Sequence, residues 1–178
     1  MSDALRLASR LVSVLARRRV ALGFAAGAIT LVLALPTWST WRIGLAIALV
    51  GEAIRVWAAG HLEKSREVTR SGPYRWTSHP LYLGSSIIAL GVVVAARSLV
   101  VAVFVASYMA VTIGSAIALE ERFLRGKFGA TYDDYKRGAA SVERAFSLER
   151  AVRNREYRAI AGMVLGFGVL ALKIVLSI

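Results

Sequence analysis

The sequence contains no cysteine among its 178 residues. That excludes disulfides, thiolate metal ligands and a cysteine nucleophile, and leaves the compartment open. Histidine is almost as scarce, with only His61 and His79, so no dedicated transition-metal site is expected. Acidic residues are also few. Eleven Asp and Glu stand against 23 Lys and Arg, a formal net charge of +12. Nucleic-acid binding is one explanation for so basic a chain, but the placement of the charges argues for another. No fixed-period repeat and no low-complexity linker interrupts the chain.

What is abundant is apolar. Hydrophobic residues make up 57% of the chain and the mean hydropathy is +0.58, values typical of membrane proteins. The length suits one compact domain, residues 1–178. Five apolar runs are readable: Val20 to Leu35, Ile43 to Ala59, Leu81 to Ala96, Leu99 to Leu119, and Ala159 to Ile178. Each is near the ~20 residues that cross a bilayer as a helix, and helices are the default because they satisfy their own backbone in lipid. The expected fold is an all-α integral-membrane bundle of about five transmembrane helices: four spans over 20–119, a cytoplasmic helical segment over 120–158, and a C-terminal span over 159–178. Of the 23 basic residues, 19 fall before the first span, between His61 and His79, or between Glu120 and Arg158. These are alternate connections, so the positive-inside rule puts the N-terminus and both loops in the cytoplasm and the C-terminus outside. The basic excess is then mostly topological, and it attracts anionic membrane lipid. The first run lacks a small-residue cleavage site and reads as an anchor. Before it, Leu5, Ala8, Leu11, Val12 and Leu15 keep helical spacing among arginines, predicting an interfacial helix over 1–19.

Chemistry concentrates in two places. The first is Ser71 to Gly84, between the second and third spans. His79-Pro80 opens the third span, and proline suits the first turn of a helix. Ser78 or His79 then lies near the N-cap, where free N–H groups and a partial positive charge favour an anion. Gly72-Pro73 predicts a tight turn that folds Tyr74 back toward the membrane. Tyr82 and Gly84 follow one turn inside, glycine permitting close backbone approach. Alone, this segment also fits an interfacial loop with an aromatic belt. The second place is Glu120-Glu121, where the fourth span leaves the membrane. Carboxylates there can accept hydrogen bonds from hydroxyl or amino groups, although a lone pair also fits a solvated helix end. Glu52 and Arg55, three apart, share a helix face. Intramembrane charge marks a functional candidate, or else a structural pair with Arg55 snorkelling to the surface.

The two segments together, in this order and separated by a helical hairpin, resemble the signature of the isoprenylcysteine carboxyl methyltransferase and phospholipid methyltransferase superfamily. The resemblance covers about Gly51 to Lys136. It implies an integral-membrane enzyme that uses S-adenosylmethionine, with a cytoplasmic-side cofactor pocket built from Tyr74, His79, Pro80, Tyr82, Gly84, Glu120 and Glu121. His61 and Lys64 are candidates to close that pocket. Phe128, Tyr132 and Tyr135 either wall its adenine side or pack against the bundle. The implied reaction is methyl transfer to a lipophilic small molecule arriving from the bilayer, in which the protein aligns the reactants and excludes water. A carboxylate acceptor needs no base; an amine must lose a proton, to Glu120 or Glu121. Glu121, Arg55 and Arg75 are the catalytic candidates, with no single base assigned.

Two departures bear on the acceptor. Isoprenylcysteine enzymes commonly have Arg-His-Pro where this chain has Ser78-His79-Pro80. They also commonly have an arginine shortly before the acidic pair, where this chain runs Ile113 to Leu119 without a cation. A guanidinium there would suit a substrate carboxylate. Two rival classes are a nicotinamide-dependent membrane reductase of related fold, whose usual cysteine is missing here, and a non-enzymatic membrane module.

Overall fold

A computed structural model describes residues 23, 25–64, 66–138 and 143–176. The expected interfacial helix and the start of the first span lie outside them. The described residues contain helices and no strands. Helix α1 covers residues 25–33. It is followed by α2 (Trp38–His61), a single 3-10 turn (Gly72–Arg75), α3 (Pro80–Ala96), α4 (Leu99–Phe128), α5 (Ala130–Lys136), α6 (Leu148–Arg153) and α7 (Tyr157–Val175). Three of these, α2, α4 and α7, are long and apolar enough to cross a membrane. α3 is apolar but has only 17 residues, about 25 Å of helix.

The core is a seam of small residues between α2 and α3. Gly44, Ala48 and Gly51 recur along one face of α2, and Gly84, Gly91 and Ala95 along the facing side of α3. A Cβ added to Gly51 would lie 2.7 Å from the Gly84 carbonyl oxygen, and one added to Gly91 would lie 2.8 Å from the Ala48 nitrogen. The two backbones are therefore in contact. Within lipid, burying apolar area gains little, and such close approach supplies the packing that joins helices.

The end of the bundle at the start of α2 is tied by local caps. Thr37 and Thr40 form a reciprocal capping box at the start of α2. The Thr40 hydroxyl also donates to the Ala95 carbonyl at 3.3 Å, and Leu35 N–H donates to Ala96 at 2.7 Å. Arg97 takes the left-handed C-cap of α3, and Ser98 caps α4. Trp41 Nε1–H donates to the Phe167 carbonyl at 2.8 Å, docking α7. Lys173 Nζ donates to Leu31 and Val32 at 3.2 and 2.8 Å, closing the last turn of α1.

At the opposite end, where the cavity lies, α6 caps α2. Asn154 Nδ2 donates to the Ala59 and Leu62 carbonyls, each at 2.9 Å. Arg150 Nε donates to Gly60 at 2.8 Å. These carbonyls are the orphan acceptors of a helix C-terminus, where cations also oppose the helix dipole. Some of the basic residues after α5 are thus structural caps.

α4 does not end at the acidic pair but runs on through Phe128. Glu, Arg, Leu and Lys in that stretch are good helix formers. The break comes at Gly129, whose φ of 49° and ψ of −125° turn the chain into α5. Val101, near the α3–α4 hairpin, is the one buried residue of α4. Toward the other end a cavity separates α4 from the start of α3.

The seam yields a direct test. Gly91→Leu should force α2 and α3 apart at a cost of about 1–3 kcal/mol or more, lowering the thermal unfolding midpoint in detergent. Gly166→Leu, where an added Cβ meets nothing within 4 Å, should leave the midpoint close to wild type.

Candidate functional site

The cavity between α3 and α4 has a volume of about 360 Å³. Its floor is the first turn of α3 (His79, Pro80, Leu81, Tyr82) and one stripe of α4 (Ala116, Leu119, Glu120, Phe123). Its mouth is the connection after α2, which contributes Glu63, Lys64, Glu67 and Thr69, and α5 adds Tyr132 and Tyr135. Polar and apolar side chains are mixed in the lining, with Ala116, Leu119, Phe123 and Leu124 forming an apolar stretch on α4.

The connection between α2 and α3 is held from behind. His61 is buried, its Nδ1 lying 3.1 Å from Ser71 Oγ. Gly72 has φ of 56°, and a Cβ there would lie 2.5 Å from the His61 ring, so only glycine serves. This turn sends Tyr74 inward, where it is buried. Tyr135 O–H donates to the Tyr74 carbonyl at 2.8 Å and so fastens α5 to the turn. Burial holds the Tyr74 phenol well above its ordinary pKa. Burial, then the carboxylates of Glu121 and Glu120, pushes Tyr132 up to about 12. Both phenols are accordingly neutral at pH 7 and keep a proton to donate.

His79 is the N-cap of α3, with Pro80 as the first helical residue. Its carbonyl accepts from Tyr82 N–H and Leu83 N–H, each at 3.1 Å. That leaves Leu81 N–H as the free backbone donor of the first turn, fewer than the sequence suggested. The imidazole Nε2 lies 3.4 Å from Glu121 Oε1, and Lys136 Nζ donates to the same oxygen at 2.8 Å. The other nitrogen, Nδ1, is 3.8 Å from Glu120 Oε2, beyond hydrogen-bond range. Two buried polar side-chain atoms of the cavity wall have no hydrogen-bond partner: His79 Nδ1 and Tyr132 Oη. Buried polar atoms normally find partners, so each marks a place for a group from outside the chain.

The sequence candidates divide sharply. Tyr74, His79, Pro80, Tyr82, Glu120 and Lys64 all line the cavity. Glu121 does not; it faces His79 and Lys136 from the side. Gly84 lies on the α2–α3 seam, against Gly51 and Arg55. His61 packs behind the connection with Trp57 and Phe146. Arg75 faces Glu143 at 3.6 Å on the surface. Phe128 lies outside the cavity, beneath the Lys127 ammonium, whereas Tyr132 and Tyr135 line it.

Arg55 is the centre of a buried cluster. Glu52, the partner expected from spacing, is 3.9 Å away. Glu156 at the start of α7 is closer, at 2.7 Å. Arg55 also donates to the Leu81 carbonyl at 3.3 Å and to the Ser85 hydroxyl. It thereby joins α2, α3 and α7 directly behind the cavity wall. Sequence reasoning missed Glu156 because helical spacing reaches only local partners. It also missed Glu63 and Glu67, which hold the cavity mouth through Arg153 at 3.0 Å and Arg144 at 2.7 Å. The signal available was the match of acids in 63–67 to bases in 144–153.

Removing Arg55 leaves two buried carboxylates without their cation. Arg55→Met should therefore destabilise the fold by about 3–5 kcal/mol, seen as a lowered unfolding midpoint. Glu52→Gln should cost little, since neither Glu52 oxygen makes a hydrogen bond.

Residues 19–131 match the phospholipid methyltransferase family. Among curated proteins the chain is similar to the nickel-cobalt-cadmium resistance protein NccN of Alcaligenes xylosoxydans xylosoxydans, 30% identical over 111 residues. That alignment covers 61% of this chain and 50% of NccN, so the chain spans about half the length of the curated relative it matches. No solved structure matches. The family match takes in both the His79-Pro80 and Glu120-Glu121 segments and all of α2 and α4, two of the three membrane-length helices; the chain belongs to the phospholipid methyltransferase family, a family of membrane methyltransferases.

Proposed function

We propose that the protein transfers a methyl group from S-adenosylmethionine to a lipophilic acceptor that reaches the cavity from the bilayer. The observation that carries this reading is the cavity itself, with His79 Nδ1 and Tyr132 Oη buried and unpartnered on its wall. Its volume falls in the range of small-molecule sites, and its few polar groups among apolar walls are the usual pattern of one.

The residues fit the cofactor by chemical type. Glu120 is an acceptor for ribose hydroxyls or an amino group, and Tyr132 O–H is a donor. Lys64 at the mouth is a cation for an amino-acid carboxylate. Tyr74, Tyr82 and Phe123 provide flat apolar surface for a purine. The carboxylate of Glu120, which no Lys or Arg side chain pairs among the described residues, favours a positively charged sulfonium. When bound, S-adenosylmethionine supplies an activated methyl group, so the chain itself need only orient, exclude water and manage a proton. Ala116 and Leu119 belong to the apolar stretch on α4, where the acceptor's hydrocarbon would lie. The density of Lys and Arg in the flanking connections supports a cytoplasmic location for the cavity, on the side of a cytosolic methyl donor.

Calorimetry in detergent tests the cofactor. S-adenosylhomocysteine should bind, and NADPH much more weakly. Glu120→Gln should weaken binding roughly tenfold, the scale of one hydrogen bond to a charged group, and Tyr132→Phe several-fold. Selective NADPH binding would replace this reading with the reductase one.

The acceptor can be tested separately. Among the described residues Lys64 is the only Lys or Arg in the cavity lining, and desolvating a carboxylate without a paired cation is costly. N-acetyl farnesylcysteine should therefore be a poor acceptor compared with lipid amines in a labelled-methyl assay. Efficient methylation of its carboxylate would contradict this.

A further inference from the structure

The cavity holds one imidazole, and its two nitrogens are in different situations. Nε2 faces Glu121 Oε1 at 3.4 Å. Glu121 is itself held by Lys136 Nζ at 2.8 Å, a residue beyond the family match over 19–131. Nδ1 is buried and has no hydrogen-bond partner among the described residues, and His79 itself lines the cavity. The Tyr82 ring lies 5.8 Å from the imidazole, centroid to centroid, at a 34° tilt, and restricts its rotation. A carboxylate on one imidazole nitrogen fixes the proton there and leaves the other nitrogen a base. The charged groups facing His79 are Glu120 and Glu121 from α4, with Lys136 of α5 bound to Glu121.

We infer that His79 Nδ1 accepts the proton released by the methyl acceptor, and that Glu121, anchored by Lys136, is the positioning residue that keeps the imidazole proton on Nε2. The inference rests on the methyl-transfer reading and deepens it: the cavity is built for an acceptor atom that carries a proton. The two carboxylates are poorer bases for this step. Glu121 is already engaged by Lys136 and His79, and Glu120 has a side chain 41% exposed, so water solvates it. An imidazole operates closest to neutral pH, where proton transfer is most effective.

The step balances. The acceptor's lone pair forms a bond to the methyl carbon as the carbon–sulfur bond breaks, its electron pair staying on sulfur. The acceptor atom, now positive, passes its proton to Nδ1. The resulting imidazolium sits between Glu120 and Glu121, which offset its charge, and the proton leaves to water past exposed Glu120.

Nitrogen NMR of the full-length protein labelled with 15N-histidine tests this without turnover. There are only two histidines, so His79→Gln assigns the spectrum, and His61→Gln does so if that variant is not recovered. In wild type, His79 should be protonated on Nε2 and bare on Nδ1, with the Nε2 proton shifted downfield by Glu121. Glu121→Leu should abolish that downfield shift. In a labelled-methyl assay with a lipid amine, His79→Gln should lose about 10²-fold or more in kcat while S-adenosylhomocysteine affinity changes only a few-fold. A proton found on Nδ1, a downfield shift that survives Glu121→Leu, or full kcat in His79→Gln would each overturn the assignment and leave methyl transfer standing. The expected tautomer in a protein that binds no S-adenosylhomocysteine would instead overturn the methyl-transfer reading, and the proposed step with it.

Discussion

Gly44, Gly51, Gly84 and Gly91 bring the backbones of α2 and α3 into direct contact, and the α3 side of the candidate site follows from that contact. A membrane offers little solvent-driven force to hold helices together, so close packing must supply it. With α3 pressed onto α2, its first turn is set at a defined height. His79, Pro80 and Tyr82 are placed with it. Arg55, on the same face of α2, then reaches the Leu81 carbonyl and Glu156 and locks the turn against α7. α4 takes no part in the seam. Its freedom from close packing in its C-terminal half is what leaves room for a cavity.

Charge does a second job in this chain. Positive residues cluster on alternate connections, and their contacts are specific. Arg150 and Asn154 complete the C-terminus of α2. Arg144 and Arg153 hold Glu67 and Glu63 at the cavity mouth. The C-terminal part of the chain, beyond the family match, thus supports the part within it. Tyr135 and Lys136 extend that support to the turn at Tyr74 and to Glu121.

The periodic and local features were legible in the sequence. Apolar length marked α2, α4 and α7, and His79-Pro80 marked the start of α3 to the residue. The two motifs pointed to His79, Tyr82 and Glu120, which the fold brings to one cavity. What was not legible depends on contacts between distant segments. Gly84 looks like a pocket glycine in its motif, yet it packs against α2. His61 looks like a pocket histidine at the end of a span, yet Ser71 and Gly72 cover it. Glu52 was found from spacing at three residues, whereas the nearer partner of Arg55 lies 101 residues along the chain. The acidic pair reads as a membrane boundary, which leaves open where the helix itself stops; it runs on to Gly129, the residue that breaks it.

The central claim is that one cavity, between the start of α3 and the C-terminal half of α4, binds the methyl donor. Hydrogen–deuterium exchange with and without S-adenosylhomocysteine tests it most directly, because it reads location rather than affinity. The account predicts slowed exchange over residues 62–82 and 116–135, with α7 unchanged beyond its first turn. Protection confined to the C-terminal ends of α1 and α7, or no protection anywhere at saturating ligand, would contradict it.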